Sequence, residues 1–185
     1  MFGRRTLRLR YQNPIDAYQH LKKFLSGYTA ALRMIDEALA TFLQQGIAIN
    51  IGTRNERLEP NAAFAPAAIV EPGGTHVVVF VPTVGADLVL RDLAANGQAA
   101  LVFARPEDDR ACQVKGVFVS AREATDDEQP VVRGQWAGFM RQLEIIGTPG
   151  ESDRAWVIWP CVAVRLRVTA LYSQTPGPDA GKALA

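Results

Sequence analysis

Residues 75–119 read THVVVFVPTVGADLVLRDLAANGQAALVFARPEDDRACQVKGVFV, and the order of patterns within them decides the fold. Val77 to Val81 are apolar at every position, which is how a strand covered on both faces reads. An amphipathic stretch follows from Ala86 to Ala95, with Leu90, Leu93 and Ala94 expected inward and Asn96-Gly97 as its stop. A second apolar run, Gln98 to Ala104, then meets a charged hairpin, Arg105 to Arg110. The strand after it, Ala111 to Ala121, carries Gln113 and Lys115 on one face by the period-two rule. Gly116 within that strand predicts a bulge or the close approach of another group.

On the N-terminal side, Ile47, Ile49 and Ile51 alternate with Ala48 and Asn50, the pattern of a half-buried strand. Thr53 to Arg57 reads as a polar turn, and the chain returns from Ala62 to Val70. Pro66 inside that return predicts an edge position or a bulge, because proline cannot donate to a ladder. Glu71-Pro72-Gly73-Gly74 is a turn. Two helices are expected earlier: one from Asn13-Pro14 to Gly27, and one from about Thr29 to Gln45 with Gly46 closing it. His20 on the first has no partner in sequence and reads as a surface residue.

On the C-terminal side, Asp126, Asp127, Glu128 and Pro130 suit a helix N-terminus, where acids meet the positive end of the macrodipole. That helix has the stripe Val132, Trp136, Phe139, Met140 and Leu143. The last strand alternates Val162, Val164, Leu166 and Val168 against Arg165 and Arg167, and an irregular Pro- and Gly-rich tail follows Tyr172. About six short strands with little strand–helix–strand alternation predict an antiparallel β-barrel with peripheral helices. The expected organisation is an N-terminal extension over 1–28 with a short helix, a barrel domain over 29–181, and a tail over 182–185.

Composition narrows the function. With 185 residues, 48% hydrophobic, the chain can build one real core. A net charge of +1 provides no global attraction to nucleic acid or anionic membrane, and neither partner is expected. No apolar run approaches the roughly 20 residues of a spanning helix. The basic start, Arg4 to Arg10, lacks an apolar segment behind it, so it reads as a solvated tail rather than a secretory signal. Two cysteines, Cys112 and Cys161, make neither a disulfide framework nor a metal spacing, and a reducing cytoplasm suits them.

Chemical signatures are sparse. No GxGxxG follows a strand, and residues 147–152 lack the lysine of a phosphate loop. The two histidines, His20 and His76, adjoin no nucleophile motif. What stands out is a set of cations in strands and hairpins: Arg54, Arg105, Arg110, Lys115, Arg165 and Arg167. Convergent Arg and Lys donors are what a phosphate monoester needs; the same residues can equally be solvated faces and edge guards. Cys112 beside Arg110 raises a further alternative, a thiolate with lowered pKa.

The succession of a strand pair (Ile47 to Val70), Phe80-Val81-Pro82-Thr83, Leu93-Ala94-Ala95-Asn96-Gly97, Ala100-Leu101-Val102-Phe103 and Gln113-Val114-Lys115-Gly116 resembles the pyridoxamine 5′-phosphate oxidase-related family of FMN-binding split β-barrels. The resemblance covers roughly Met34 to Gly181, including the ending Ser173 to Gly181. It implies a homodimer with two FMN sites at the subunit interface and a small-molecule substrate. The FMN phosphate would meet Pro82 and Thr83 on one side and Arg110, Gln113 and Lys115 on the other. The strand from Phe64 through Ala65 and Pro66 to Ala68 would lie along the isoalloxazine and offer backbone groups.

Two departures are visible. The Arg-Lys pair that grips the phosphate in the oxidase itself is replaced by Asp87-Leu88-Val89, and a usual glutamine falls on Ala111. With no counterpart of the oxidase's substrate-gripping residues, pyridoxamine phosphate is not the expected substrate. The expected function is an FMN-dependent oxidoreductase; the alternative is a non-enzymatic dimeric binding module that has lost the phosphate clamp.

Overall fold

The computed structural model describes residues 34–148 and 156–184. The N-terminal helix expected between Asn13 and Gly27, His20, residues 29–33 of the second helix and most of the 147–152 loop lie outside them. Helix α1 (Glu37–Leu43) begins where the Asp36 side chain accepts the Leu39 N–H at 2.7 Å, an N-cap satisfying an otherwise orphaned donor. Strands β1 (Ala48–Arg54), β2 (Pro60–Phe64), β3 (Ala67–Val70) and β4 (His76–Pro82) follow. Helix α2 (Thr83–Asn96) leads into β5 (Gln98–Ala104) and β6 (Ala111–Glu123), and α3 (Gln129–Ile145) precedes β7 (Cys161–Ser173).

The seven strands form one antiparallel sheet in the order β2-β1-β5-β6-β7-β4-β3. Its two edge strands, β2 and β3, are separated only by Ala65 and Pro66. A flat sheet would put strands six steps apart about 29 Å from one another, whereas the three residues from Phe64 to Ala67 reach about 11 Å at most. The sheet must therefore curl until its edges meet. The result is a split antiparallel β-barrel with peripheral helices, as the sequence pattern predicts.

The strand count differs from expectation by one, because the return from Ala62 to Val70 is two strands bent at Pro66. Thr53 and Arg54 belong to β1 rather than to the turn; the turn is Asn55 to Glu59, tied by the Asn55 N–H to Glu59 O at 3.1 Å. Trp156 to Trp159 make no strand. Gly116 does coincide with a register shift, and a Cβ there would sit 3.1 Å from Arg167 O.

The barrel interior is the core. Ile49, Ile51, Val77, Val79, Leu101, Phe103, Val114 and Leu166 point inward, plugged by Phe42 and Leu43 of α1 and by Ala86, Val89 and Leu93 of α2. The other face of β4 is covered as well. Phe80 packs with Ala67, Ala163, Cys161 and Val132, so a helix of the same chain covers that face. On α2 the inward side differs from the expected one: Ala94 is exposed, and an acid, Asp92, is buried. Its carboxylate accepts Thr53 Oγ1 at 2.8 Å and Asn61 Nδ2 at 2.7 Å, two residues that face each other across β1 and β2.

Glutamines from the helices close the β3 edge. Gln135 of α3 exchanges hydrogen bonds with both the N–H and C=O of Ala68, and Gln44 accepts the Val70 N–H at 3.1 Å. This works only because α3 lies close. Gly46, at φ +80°, and Gly138 meet backbone to backbone; a Cβ on Gly46 would be 2.5 Å from Gln135 O. Gly46→Ala should therefore destabilise the fold by about 2–4 kcal/mol, combining a positive φ with a backbone clash. Gly134→Ala, on the same helix with nothing nearby, should stabilise it by about 0.5–1 kcal/mol; urea unfolding of the two variants checks both.

At the far end of β6 the Arg122 guanidinium grips Glu128 at 2.8 and 2.6 Å and holds its carboxyl down at about 2, against an ordinary 4.5. A carboxyl depressed in the folded state stabilises above its unfolded value and loses that contribution as pH falls from 4.5 toward 2. Because Arg122 is half exposed, about 1 kcal/mol or less is at stake. Glu128→Gln should be less stable than wild type near neutrality by that amount, and the gap should vanish in titrations down to pH 2.

Candidate functional site

The residues singled out from sequence fall in two places. The first is the start of α2, where β4 ends. Pro82 is buried and paired with Cys161, and occupies the N-cap position without a side-chain cap. Thr83 opens the helix; its N–H and hydroxyl both donate to Pro160 O, at 3.0 and 3.3 Å. Beside it lies an open groove of about 280 Å³ lined by Ala62, Phe64, Pro82, Val84, Gly85 and Trp156. Phe64 anchors an aromatic cluster, with its ring 4.8 Å from Trp156, 5.4 Å from Trp136 and 6.0 Å from Phe139.

The strand past Phe64 is less available than expected. Ala65 and Pro66 are buried, the Ala65 N–H is bound to Ile49 O at 2.9 Å, and both backbone groups of Ala68 are taken by Gln135. The closing bend that turns β2 into β3 uses these groups for the barrel itself. The absent clamp also needs correction at one position. Val89 is 1% exposed and part of the core, whereas Leu88 is 51% exposed on the outer face of α2, so Leu88 alone stands where a cation could reach out.

The second place is the outer face of β1, β5 and β6. The register aligns Gly52, Ala100 and Lys115 in one row, and Phe64, Asn50, Val102, Gln113 and Tyr172 in the next. The Lys115 ammonium lies 5.0 Å from the Tyr172 ring centre. An open groove of about 420 Å³ runs here, with Arg54, Gln98, Lys115 and Thr169 around a floor of Gly52 and Ala100. Arg110 is elsewhere: its guanidinium sits 4.2 Å above the buried Phe42 ring, at the hairpin end of β6.

One chain does not bring these sets together. Helix α2 has 14 residues, about 20 Å of length, and its far end touches β6 through Phe118 N–H to Gly97 O at 2.8 Å. Thr83 is thus about a helix length from the Lys115 region, and Arg110 lies five residues, about 17 Å, along β6 from Lys115. The cation set also thins out. Arg165 is held by Glu71 at 2.7 and 2.8 Å, and Arg105 by Asp108 at 2.7 Å, which keeps the Asp108 carboxyl at about 2. Arg54 and Lys115 have no ion pair among the described residues.

Sequence reasoning counted Arg54 as a cation but had no ground to place it beside Lys115, because their proximity is a matter of β1–β5–β6 pairing. Asp92 was missed: it lies on the side of α2 that Ala86 and Val89 bury, but only its partners Thr53 and Asn61 on other elements make a carboxylate stable there. Among the described residues no group of three or more His, Cys, Asp or Glu could hold a metal, and no helix is long and apolar enough to cross a membrane.

The thiol alternative fails. Burial pushes Cys112 up to about 11, with Arg110 opposing only weakly, and pushes Cys161 up to about 12. Neither is a thiolate near neutrality. Native protein at pH 8 should therefore leave a thiol reagent such as iodoacetamide unreacted over the time in which urea-unfolded protein labels both cysteines; rapid labelling of Cys112 in the folded protein would contradict the burial.

Comparison with known structures agrees with this architecture. An F420 reductase superposes with a TM-score of 0.51 at 16% identity, over 74% of this chain and 98% of that one. An FMN-binding protein from Syntrophomonas wolfei gives 0.49 at 11% identity over 85% and 95%, and a candidate pyridoxamine 5′-phosphate oxidase from Lactobacillus delbrueckii gives 0.47 at 14% over 75% and 93%. No family model matches the chain, and no curated protein matches it at a significant level. The chain shares the split-barrel fold of the F420 reductase.

Proposed function

We propose that this protein is a homodimeric flavoprotein that uses FMN to oxidise or reduce a small molecule other than pyridoxamine phosphate. The observation that carries the reading is the open groove at the start of α2. It joins an aromatic wall at Phe64 to the positive end of a helix whose first turn bears no acid, an arrangement suited to a planar ring with a phosphate tail. At about 280 Å³ in one chain the groove fits part of such a ligand, which is why a second copy belongs to the reading.

In that reading Pro82, Thr83 and the first-turn N–H groups of α2 beyond Thr83, whose own N–H and hydroxyl donate to Pro160 O, face the phosphate, while Phe64, with Ala65 and Pro66 behind it, lines the ring side. Gln113, Lys115 and Arg110 come from the other copy, since within one chain they lie too far away; Arg110, stacked on Phe42, has the least freedom to do so. Bound FMN would supply two-electron redox chemistry, and the chain's own share is to hold and orient. Among the described residues that line the groove, none is an acid or base. A second reading, a dimeric module without redox activity, is favoured by Asp87-Leu88-Val89, because α2 offers no cation in its first two turns.

Purified protein should show the near-ultraviolet and blue absorption bands of a flavin, or gain them on adding FMN. Colourless protein that does not take up FMN would overturn the flavin reading. Leu88→Lys, at an exposed position one turn beyond Val84, should tighten FMN about tenfold by adding one charge-assisted contact. An unchanged affinity would separate α2 from the phosphate.

A further inference from the structure

The larger groove on the outer face has a chemistry of its own. Arg54 and Lys115 stand at its rim on β1 and β6, with β5 between them, and among the described residues no carboxylate lines it. Arg54 is anchored through its backbone, whose carbonyl accepts Asn96 Nδ2 at 2.6 Å, leaving the guanidinium without an ion pair among the described residues. The backbone of Lys115 is likewise engaged, by Thr169 Oγ1 at 3.2 Å. Two acids stand near it and both are engaged: Asp92 is turned to the core side, where its carboxylate accepts from Thr53 and Asn61, and Glu59, between Leu58 and Pro60, accepts from Asn55 Nδ2 at 2.6 Å. Arg165 and Arg122 are by contrast paired, with Glu71 and Glu128, while Arg167, exposed on β7, has no ion pair among the described residues and does not line the groove.

The space between these cations is also shaped. Its floor is Gly52 and Ala100, the two smallest residues in the row, so the strands lie bare between two long side chains. Gln98, at the β5 end, adds an amide donor, and Leu58 contributes an apolar wall that is 67% exposed. By the register, the Arg54 and Lys115 Cα atoms are two strands and two residues apart, about 12 Å, close enough for both extended side chains to reach one anion. Arg offers a fork and Lys a point charge, a pairing suited to a phosphate or carboxylate oxygen cluster.

We propose that Arg54 and Lys115 form an anion-binding site for the phosphate or carboxylate of a small molecule whose apolar body rests against Leu58 and the bare strand floor. The site stands on its own lining; only the identification of its anion with the flavin phosphate of a second copy rests on the flavin reading. In that case Arg54 and Lys115 replace the cations missing from α2. Otherwise the site receives the anionic group of a separate small molecule.

The test uses the full chain and phenyl phosphate as the probe, with benzyl alcohol as its neutral counterpart, followed by calorimetry or ligand-observed NMR. Wild type should bind phenyl phosphate saturably and benzyl alcohol not measurably. Arg54→Gln and Lys115→Gln should each weaken phenyl phosphate about tenfold, while Arg141→Gln, an exposed cation on α3, should leave it unchanged. Equal binding by wild type and both groove variants, or equal binding of the neutral probe, would overturn the site. FMN and riboflavin identify the source. If the anion is the flavin phosphate, the groove variants weaken FMN and not riboflavin. If FMN is unaffected or does not bind at all while phenyl phosphate still depends on Arg54 and Lys115, the anion site holds and belongs to another small molecule.

Discussion

Phe64 and Ala67 lie on opposite edges of one sheet and are three residues apart. That covalent constraint shapes most of the molecule. Because the link at Ala65-Pro66 cannot span a flat seven-stranded sheet, the sheet wraps around a single interior, and every strand then has one face that must be apolar. Pro66 suits the bend, since a residue without an N–H leaves no donor stranded where the ladder breaks. The Ala65 N–H turns instead to Ile49 O, which ties the bend to β1.

Closure leaves a seam, and the seam explains the helices. Backbone groups of β3 face outward with no neighbouring strand beyond them, and buried groups of this kind cost about 1–3 kcal/mol each when left unpaired. Gln135, reaching from α3, and Gln44, from the end of α1, satisfy Ala68 and Val70. Their reach depends on the contact between Gly46 and Gly138, where neither position has room for a side chain, and on the Gln142 amide donating to Gly46 O at 2.7 Å. Helix α2 fills the interior with Ala86, Val89 and Leu93 and brings Asp92 to the facing pair Thr53 and Asn61. The same placement turns the start of α2 toward one groove and its end toward β6.

Much of this fold was legible in residues 75–119, where the doubly apolar strand, the inserted helix and the hairpin follow one another in an order that few architectures share. The register shift at Gly116 and the stripe of α3 were legible too, because each depends on local spacing. Other features were not. Ala62 to Val70 reads as one strand because nothing local says that its halves join different partners. Ala94 and Asp92 exchange the roles that hydrophobicity assigns them because two polar residues of β1 and β2 wait for a carboxylate on the inward side. The candidate site was legible as a list of cations and not as an arrangement. Arg165 and Arg105 find acids close by, Arg110 stacks on Phe42, and Val89 belongs to the core.

By itself the sequence determined the alternation of faces, the stop of α2 at Asn96-Gly97, and the charge inventory, all of which arise from neighbours a few residues apart; the start of α1 after Asp36, rather than near Thr29, was not among them. Only the tertiary structure decided which cations are spent in ion pairs, which two share a groove, and how far α2 holds Thr83 from Lys115. Those outcomes depend on strand order and register, and strand order is a long-range choice: it comes from closing one sheet on itself through a two-residue bend.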